Sequence, residues 1–412
     1  FDLVPRTDWM RSAVVVYPAE QEEDARREFL DALENDIFFL PPDVAEKWKE
    51  THHVDDRVMP EFRPESRERG YALFARHWSE IIYPNTVPRP DELEPDLAVF
   101  ASLGEFEPVT LTVHAFEDLR GGQVTVTDLR SDGDVIPAAN VDVRRVRTMR
   151  VRPNYSSFFS YHLAPDLLEH FESVAVRSGE NQRFWITVEV PENAKPGTFE
   201  GALTFRAAGR EPADVRFRVR VLPIRLQRDP DHIYSMYYRD PLRHLHDSNT
   251  PEANAYFRYK AERERQDMVA HGMNSHISEI RGLERDEHGH WTMDGSETER
   301  QIALDRKFDL AEKPLVVSFP VAWWYAKLVD RRGLGSHLRL VREDVPQSFF
   351  HEVTKMVEAV EREKQKFDWP EFLYYPIDEP STNEDAVRFM VSVLKAIKSV
   401  PGARTYVTAD PS

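Results

Sequence analysis

The sequence predicts a two-part protein: an N-terminal β-sandwich followed by a (β/α)8 TIM-type barrel, of which only about five strands lie in this chain. Three observations lead there. Short alternating runs separated by turn signals follow a polar N-terminal stretch; strand and helix patterns then alternate to the end; and no glycine-rich phosphate loop follows the first of those strands. At 412 residues the chain is longer than one ordinary domain requires.

Residues 1–69 read as a mixed segment. Glu20 to Leu33 places Ala25, Phe29, Leu30 and Leu33 on one side of a surface helix, and Pro41 to Glu65 is a polar, extended excursion. Residues 70–228 form the sandwich, with strands at Tyr71–Trp78, Pro108–Phe116, Gln123–Leu129, Val141–Val151, Phe184–Val190, Thr198–Ala207 and Ala213–Leu222. Gly121-Gly122, Asp132-Gly133-Asp134 and Pro196-Gly197 mark turns. Alternation is plainest from Val215 to Val221, where valines and Phe217 face in and Arg216, Arg218 and Arg220 face out.

Residues 229–412 read as the catalytic barrel, incomplete at its C-terminal end. Strands are expected at Ile233–Tyr238, Asn274–Ile280, Pro314–Phe319, Phe372–Ile377 and Arg404–Thr408. Helices are expected between them at Pro251–Ala270, Glu297–Phe308, Pro346–Lys366 and Asn383–Ile397. Parallel strands with right-handed crossovers follow. Gly333-Leu334-Gly335-Ser336 lacks the third glycine of a dinucleotide loop. A whole barrel takes roughly 250 residues, more than remain after Arg228, so the last strands are expected to lie outside this sequence.

Composition excludes several functions. A net charge of −18 repels phosphate backbones and argues against nucleic acid. The longest strongly apolar stretch, Pro314 to Ala326, is too short to span a bilayer. With no cysteine there is no disulfide framework, thiolate nucleophile or sulfur-ligated zinc. The chain opens at Phe1 without an initiator methionine or leader, which reads as a processed or trimmed N-terminus.

The most informative segment is Phe372-Leu373-Tyr374-Tyr375-Pro376-Ile377-Asp378-Glu379-Pro380. An apolar strand ends in two carboxylates at the C-terminal edge, where barrel enzymes keep their chemistry. Helix capping does not need the pair, because Ser381-Thr382-Asn383-Glu384 already fits a capping box. Pro380 biases Glu379 toward extended backbone. A general acid near neutral pH needs a raised pKa, which a neighbouring carboxylate and an apolar setting both favour.

That strand end, together with Phe184-Trp185-Ile186-Thr187-Val188-Glu189-Val190-Pro191-Glu192-Asn193-Ala194-Lys195-Pro196-Gly197 and Gly104-Glu105-Phe106-Glu107-Pro108, resembles glycoside hydrolase family 123 and related sandwich-plus-barrel glycosidases. The resemblance covers roughly residues 70–412. It implies a cofactor-free, β-N-acetylgalactosaminidase-like enzyme acting on a β-linked N-acetylhexosamine glycan. It also implies a substrate-assisted mechanism: the 2-acetamido oxygen attacks the anomeric carbon, Asp378 orients that group, and Glu379 is the acid/base. An ordinary retaining mechanism, with Glu379 as acid/base and a nucleophile about 5 Å away on a later strand, stays open. So does a carbohydrate-binding relative that does not cut.

Other strand ends supply candidate substrate contacts. Trp323 and Trp324 follow the third strand, where one or both can stack on a sugar or pack the barrel. Tyr237, Tyr238 and Arg239 end the first strand; His276, Glu279 and Arg281 lie near the end of the second; Tyr375 precedes the carboxylate pair; and Asp410 follows the fifth. Of these, Trp323, Trp324, Tyr375, His276, Tyr238 and Arg239 form the expected binding set. No metal is expected: His244-Leu245-His246-Asp247 and Asp286-Glu287-His288-Gly289-His290 lack metalloprotease spacing, and the second reads as a hairpin tip. No G-x-S-x-G elbow is present. An oligomer is compatible with the sequence, and glycan degradation favours an extracellular or periplasmic location.

Overall fold

In the computed structural model, which describes residues 49–152, 160–227, 229, 231–329, 345–379 and 384–408, the alternating runs pair into two stacked sheets. The strands are β1 Lys49–Thr51, β2 Tyr71–Phe74, β3 Leu97–Leu103, β4 Phe106–Ala115, β5 Leu119–Val126, β6 Leu129–Ser131, β7 Asp134–Ile136, β8 Val141–Val151, β9 Ser160–Glu169, β10 Val174–Val176, β11 Asn181–Glu189, β12 Gly197–Arg206 and β13 Ala213–Arg225. One sheet runs β1-β9-β8-β11-β4-β2. The other runs β10-β5-β12-β13-β3, with β6 and β7 paired at its side. Alternation buries Phe184, Ile186 and Val188 of β11 against Phe199, Leu203 and Phe205 of β12 and Val215, Phe217 and Val219 of β13. The outward arginines of β13 find acids instead, Arg216 on Glu200 at 2.7 Å and Arg218 on Asp96 at 2.8 Å.

Two features depart from the expected layout. β1, β3, β7, β9 and β10 are strands the sequence does not announce, and Gly121-Gly122, expected to turn, lie inside β5. β9 carries Pro165, which lacks a ladder donor and sits where the β8–β9 register shifts between Arg147 and Thr148. Residues 49–69 are no separate segment either. β1 adds to β9 in parallel, Asp55 accepts from the Val87 amide at 2.8 Å, and Phe62 stacks on His114. The short helix α1, Pro64–Arg69, leads directly into β2. The expected helix at Glu20–Leu33 lies outside the described residues.

The chain divides into two compact units between residues 228 and 229. In the second, β14 Ile277–Glu279, β17 Leu315–Ser318, β18 Phe372–Tyr375 and β19 Arg404–Thr405 pair in parallel in chain order, with the hairpin β15 Leu283–Arg285 and β16 Trp291–Met293 set between the first two. The expected first strand is reduced to one parallel bridge, Tyr237 to Ile277. The crossovers carry α2 Pro251–Ala270, α3 Ser296–Arg306, α4 Val321–Leu328, α5 Gln347–Phe367 and α6 Glu384–Lys398. This is a curled half-barrel; among the described residues the sheet does not close into the full barrel that the sequence leads one to expect. Ser381–Asn383 of the expected capping box, the Gly333–Ser336 stretch and Asp410 lie outside the described residues.

Strand alternation sorts the two faces of this sheet. Leu315, Val317, Phe372 and Tyr374 pack on Phe349, Val353, Val357 and Phe389 of the helices. Val316, Leu373 and Tyr375 meet Ile233 and Ile277 on the opposite, inner face. Both faces are covered, which is why these strands are continuous apolar runs.

A buried charge cluster ties the end of the first strand to the helices. Arg265 of α2, fully buried, donates from Nη2 to Asp240 Oδ2 at 2.5 Å and from Nε to Asp305 Oδ1 of α3 at 2.6 Å. His276 Nε2 lies 3.0 Å from the same Asp305 oxygen. Burial alone would push the Asp305 carboxyl up, but the His276 ring and the Arg265 guanidinium outweigh it and hold it below the ordinary carboxylate range. A carboxyl depressed in the folded state stabilises the fold above its unfolded pKa, and that contribution is lost as pH falls through the folded value. Asp305→Asn is therefore expected to lower the melting temperature at neutral pH and to flatten its decline below about pH 4. Thermal unfolding across that range checks this, and an unchanged slope would contradict it.

Candidate active site

The candidate site grows from the C-terminal end of β18. After Tyr375 the chain continues through buried Pro376 and Ile377 and emerges at Asp378 and Glu379, both exposed. Tyr375 faces inward, and its hydroxyl donates a short hydrogen bond to Asp378 Oδ1. Thr408, just past β19, donates from Oγ1 to the same oxygen at 3.2 Å, and Tyr237 Oη lies 3.5 Å from it. Tyr237 Oη also stands 2.9 Å from Tyr375 Oη, and Thr408 Oγ1 is 2.8 Å from that hydroxyl.

Counting protons orders this cluster. Tyr375 has one hydroxyl hydrogen, and the carboxylate takes it. Its oxygen is then left to accept from Tyr237, and the Thr408 hydrogen is shared between Tyr375 and Asp378. Burial first and Asp378 second push the Tyr375 hydroxyl well above the usual tyrosine range, so it stays a donor. Burial likewise raises Tyr237, with the Asp378 charge adding to it. Among the described residues the hydrogen bonds to Asp378 end on Oδ1.

Glu379 sits at φ 38, in the left-handed region that a non-glycine residue seldom adopts. The extended backbone expected from Pro380 is not what forms. The Glu379 amide turns instead to donate to Thr408 Oγ1 at 3.2 Å, so one threonine engages both members of the pair. Backbone strain of this kind collects at functional sites.

Comparison with known proteins bears on this arrangement. Residues 103–207 match the sequence profile of the glycoside hydrolase 123 N-terminal domain. The family 123 glycoside hydrolase from Clostridium perfringens, whose structure details glycolipid glycan hydrolysis, superposes with TM-score 0.60 at 12% identity, covering 76% of this chain and 58% of that one. The chain resembles glycoside hydrolase family 123. A family 39 glycoside hydrolase from Bacteroides cellulosilyticus WH2 aligns at TM-score 0.26 and 12% identity over 70% of this chain and 48% of its own. A family 5 xyloglucanase from Bacteroides ovatus, in complex with a XXXG heptasaccharide, does so at 0.22 and 8% over 77% and 63%. No curated protein matches the sequence. This chain thus spans little more than half the length of the family 123 structure it matches.

The other expected contacts of this family 123-like chain separate. Tyr238 turns away from Asp378 toward the helices, where its hydroxyl donates to Glu264 at 3.0 Å and accepts from Arg265. His276 is 1% exposed and belongs to the buried charge cluster. Arg239 is exposed beside them. Trp324 is a core residue, 3% exposed and set edge-on to Trp291 at 4.5 Å, whereas its neighbour Trp323 is 55% exposed. Both begin α4 rather than end a strand, and a helix turns successive side chains by about 100°, so one enters the core and the other leaves it. Asp286 and His290 meet at the hairpin tip, where His290 Nδ1 lies 3.0 Å from Asp286 Oδ2 and Gly289 at φ 85 makes the turn; among the described residues no group of three or more His, Asp or Glu could hold a metal. Also among them, no helix is long and apolar enough to cross a membrane.

Two residues of the Asp378 cluster stand outside the expected binding set. Tyr237 differs from Tyr238 only by strand parity, which the alternation of Tyr375 and Tyr374 on β18 could have indicated. Thr408 carries no sequence signal. Tyr375→Phe is expected to lower kcat about 10- to 100-fold with a smaller change in KM, since it acts through Asp378. Because its hydroxyl does not titrate near the usual tyrosine value of about 10, the alkaline limb of the pH–rate profile should persist in the variant. Steady-state kinetics against pH tests both.

Proposed function

We propose that this protein is a glycoside hydrolase acting on β-linked N-acetylhexosamine of the N-acetylgalactosamine type, by a substrate-assisted retaining mechanism. The observation that carries this reading is the one-sided anchoring of Asp378. Three hydroxyls gather at Oδ1 and fix the carboxylate, so that it can accept the N–H of a 2-acetamido group. So oriented, the acetamido oxygen attacks the anomeric carbon as the glycosidic bond breaks, and Glu379 gives its proton to the leaving oxygen. Glu379 then takes a proton from water, whose oxygen attacks the anomeric carbon, reopens the cyclic intermediate and restores the acetamide. Two inversions amount to net retention. No cofactor enters.

The half-barrel supports this reading by its order. Its strands are parallel and consecutive, and the carboxylate pair stands at their C-terminal edge, as the first half of a (β/α)8 barrel would have it. The match to the family 123 N-terminal domain supports the same class of enzyme.

Hydrolysis of a chromogenic β-N-acetylgalactosaminide, beside the galactoside lacking the acetamido group, tests the reading in the complete protein. Cleavage confined to the acetamido sugar is expected, falling by about 100-fold or more in both Asp378→Asn and Glu379→Gln. Cleavage of the plain sugar that survives Asp378→Asn but not Glu379→Gln would point to a separate nucleophile. Binding without turnover would leave a carbohydrate-binding protein.

A further inference from the structure

The parallel register carries the site further than the carboxylate pair. Glu279 pairs with Ser318, and Ser318 with Tyr375, so these three stand in one row on the inner face at the C-terminal edge. Adjacent strands lie about 4.8 Å apart, which sets the Glu279 backbone about 10 Å from that of Tyr375, whose hydroxyl holds Asp378. A sugar seated on Asp378 extends its remaining hydroxyls over that span.

Glu279 is poised rather than buried. Its side chain is 47% exposed, with Arg281 Nη2 2.6 Å from Oε2 and Arg243 Nη1 4.0 Å from Oε1. Exposed ion pairs like these contribute little to stability. On their helix side lies a narrow recess that Tyr238, Asp240, His276, Ser278 and Gln301 also line, with room for a group about the size of a water molecule. An exposed carboxylate beside guanidinium donors is the chemistry that recognises a polyol.

We propose that Glu279, held by Arg243 and Arg281, is a specificity-determining residue that accepts a hydrogen bond from a ring or exocyclic hydroxyl of the sugar whose acetamido group Asp378 orients. This rests on the glycoside hydrolase reading above. Arg243 and Arg281 fix the carboxylate and offer donors to the same or the adjacent sugar oxygen.

The test is steady-state kinetics of native protein and Glu279→Gln on the chromogenic N-acetylhexosaminide and on its monodeoxy analogues, one for each free hydroxyl. Glu279→Gln is expected to lose about 10- to 100-fold in kcat/KM on the parent sugar. One analogue should cost the native protein a similar factor and cost the variant nothing further, a pairing that general damage to the fold does not produce. Should Glu279→Gln melt early, Glu279→Asp, which keeps the charge but withdraws it, should show the same analogue-specific loss. A variant within about twofold of native, or losses that add independently for every analogue, overturns the proposal while leaving the hydrolase reading intact. Native protein that turns over none of these glycosides overturns the hydrolase reading and this proposal with it.

Discussion

The in-register parallel pairing of β14, β17 and β18 is the constraint on which the second unit depends. Parallel pairing brings the C-terminal ends of separate strands to one edge, and the two-residue period sends alternate side chains to opposite faces. Leu315, Val317, Phe372 and Tyr374 are thereby committed to the helices, and Val316, Leu373 and Tyr375 to the inner face. A slip of one residue would exchange these sets. It would bury the Tyr375 hydroxyl beneath α5 and point Tyr374, whose hydroxyl now donates to buried Glu361, toward Asp378.

Polar groups divide along the same line. On the helical side, Arg265 gathers Asp240, Asp305 and Tyr238, and His276 closes on Asp305, so charge is buried in pairs and holds the elements together. On the inner side, hydroxyls rather than opposite charges surround Asp378. Hydroxyls orient a carboxylate without cancelling its charge, which keeps it available to a ligand. One side spends its electrostatics on structure, and the other leaves them directed outward.

Much of the fold was legible because it rests on periodicity. The alternation of β13 and the apolar runs of β17 and β18 have one reading each, and α2 begins at Pro251 as expected, where the structure adds a Thr250 cap whose side chain accepts from the Ala253 amide at 3.2 Å. Strands escaped notice where local chemistry disguised them. Pro165 breaks the pattern of β9, and β1 is three residues whose pairing partner lies more than a hundred positions away. The expected first barrel strand is one parallel bridge, Tyr237 to Ile277.

What the sequence by itself determined is the chemistry on offer: an apolar strand ending in Asp378 and Glu379, without cysteine, phosphate loop or serine elbow. Those are local facts, readable from residue type and order. Only the tertiary structure decided which groups serve the pair. Tyr237 rather than Tyr238 reaches Asp378, Trp323 rather than Trp324 stays at the surface, and Thr408 engages the Asp378 carboxylate and the Glu379 backbone amide. Each outcome depends on which face of an element a residue occupies and on what another element, far along the chain, brings opposite it. Neighbours in sequence share composition but not direction, and direction is set by packing.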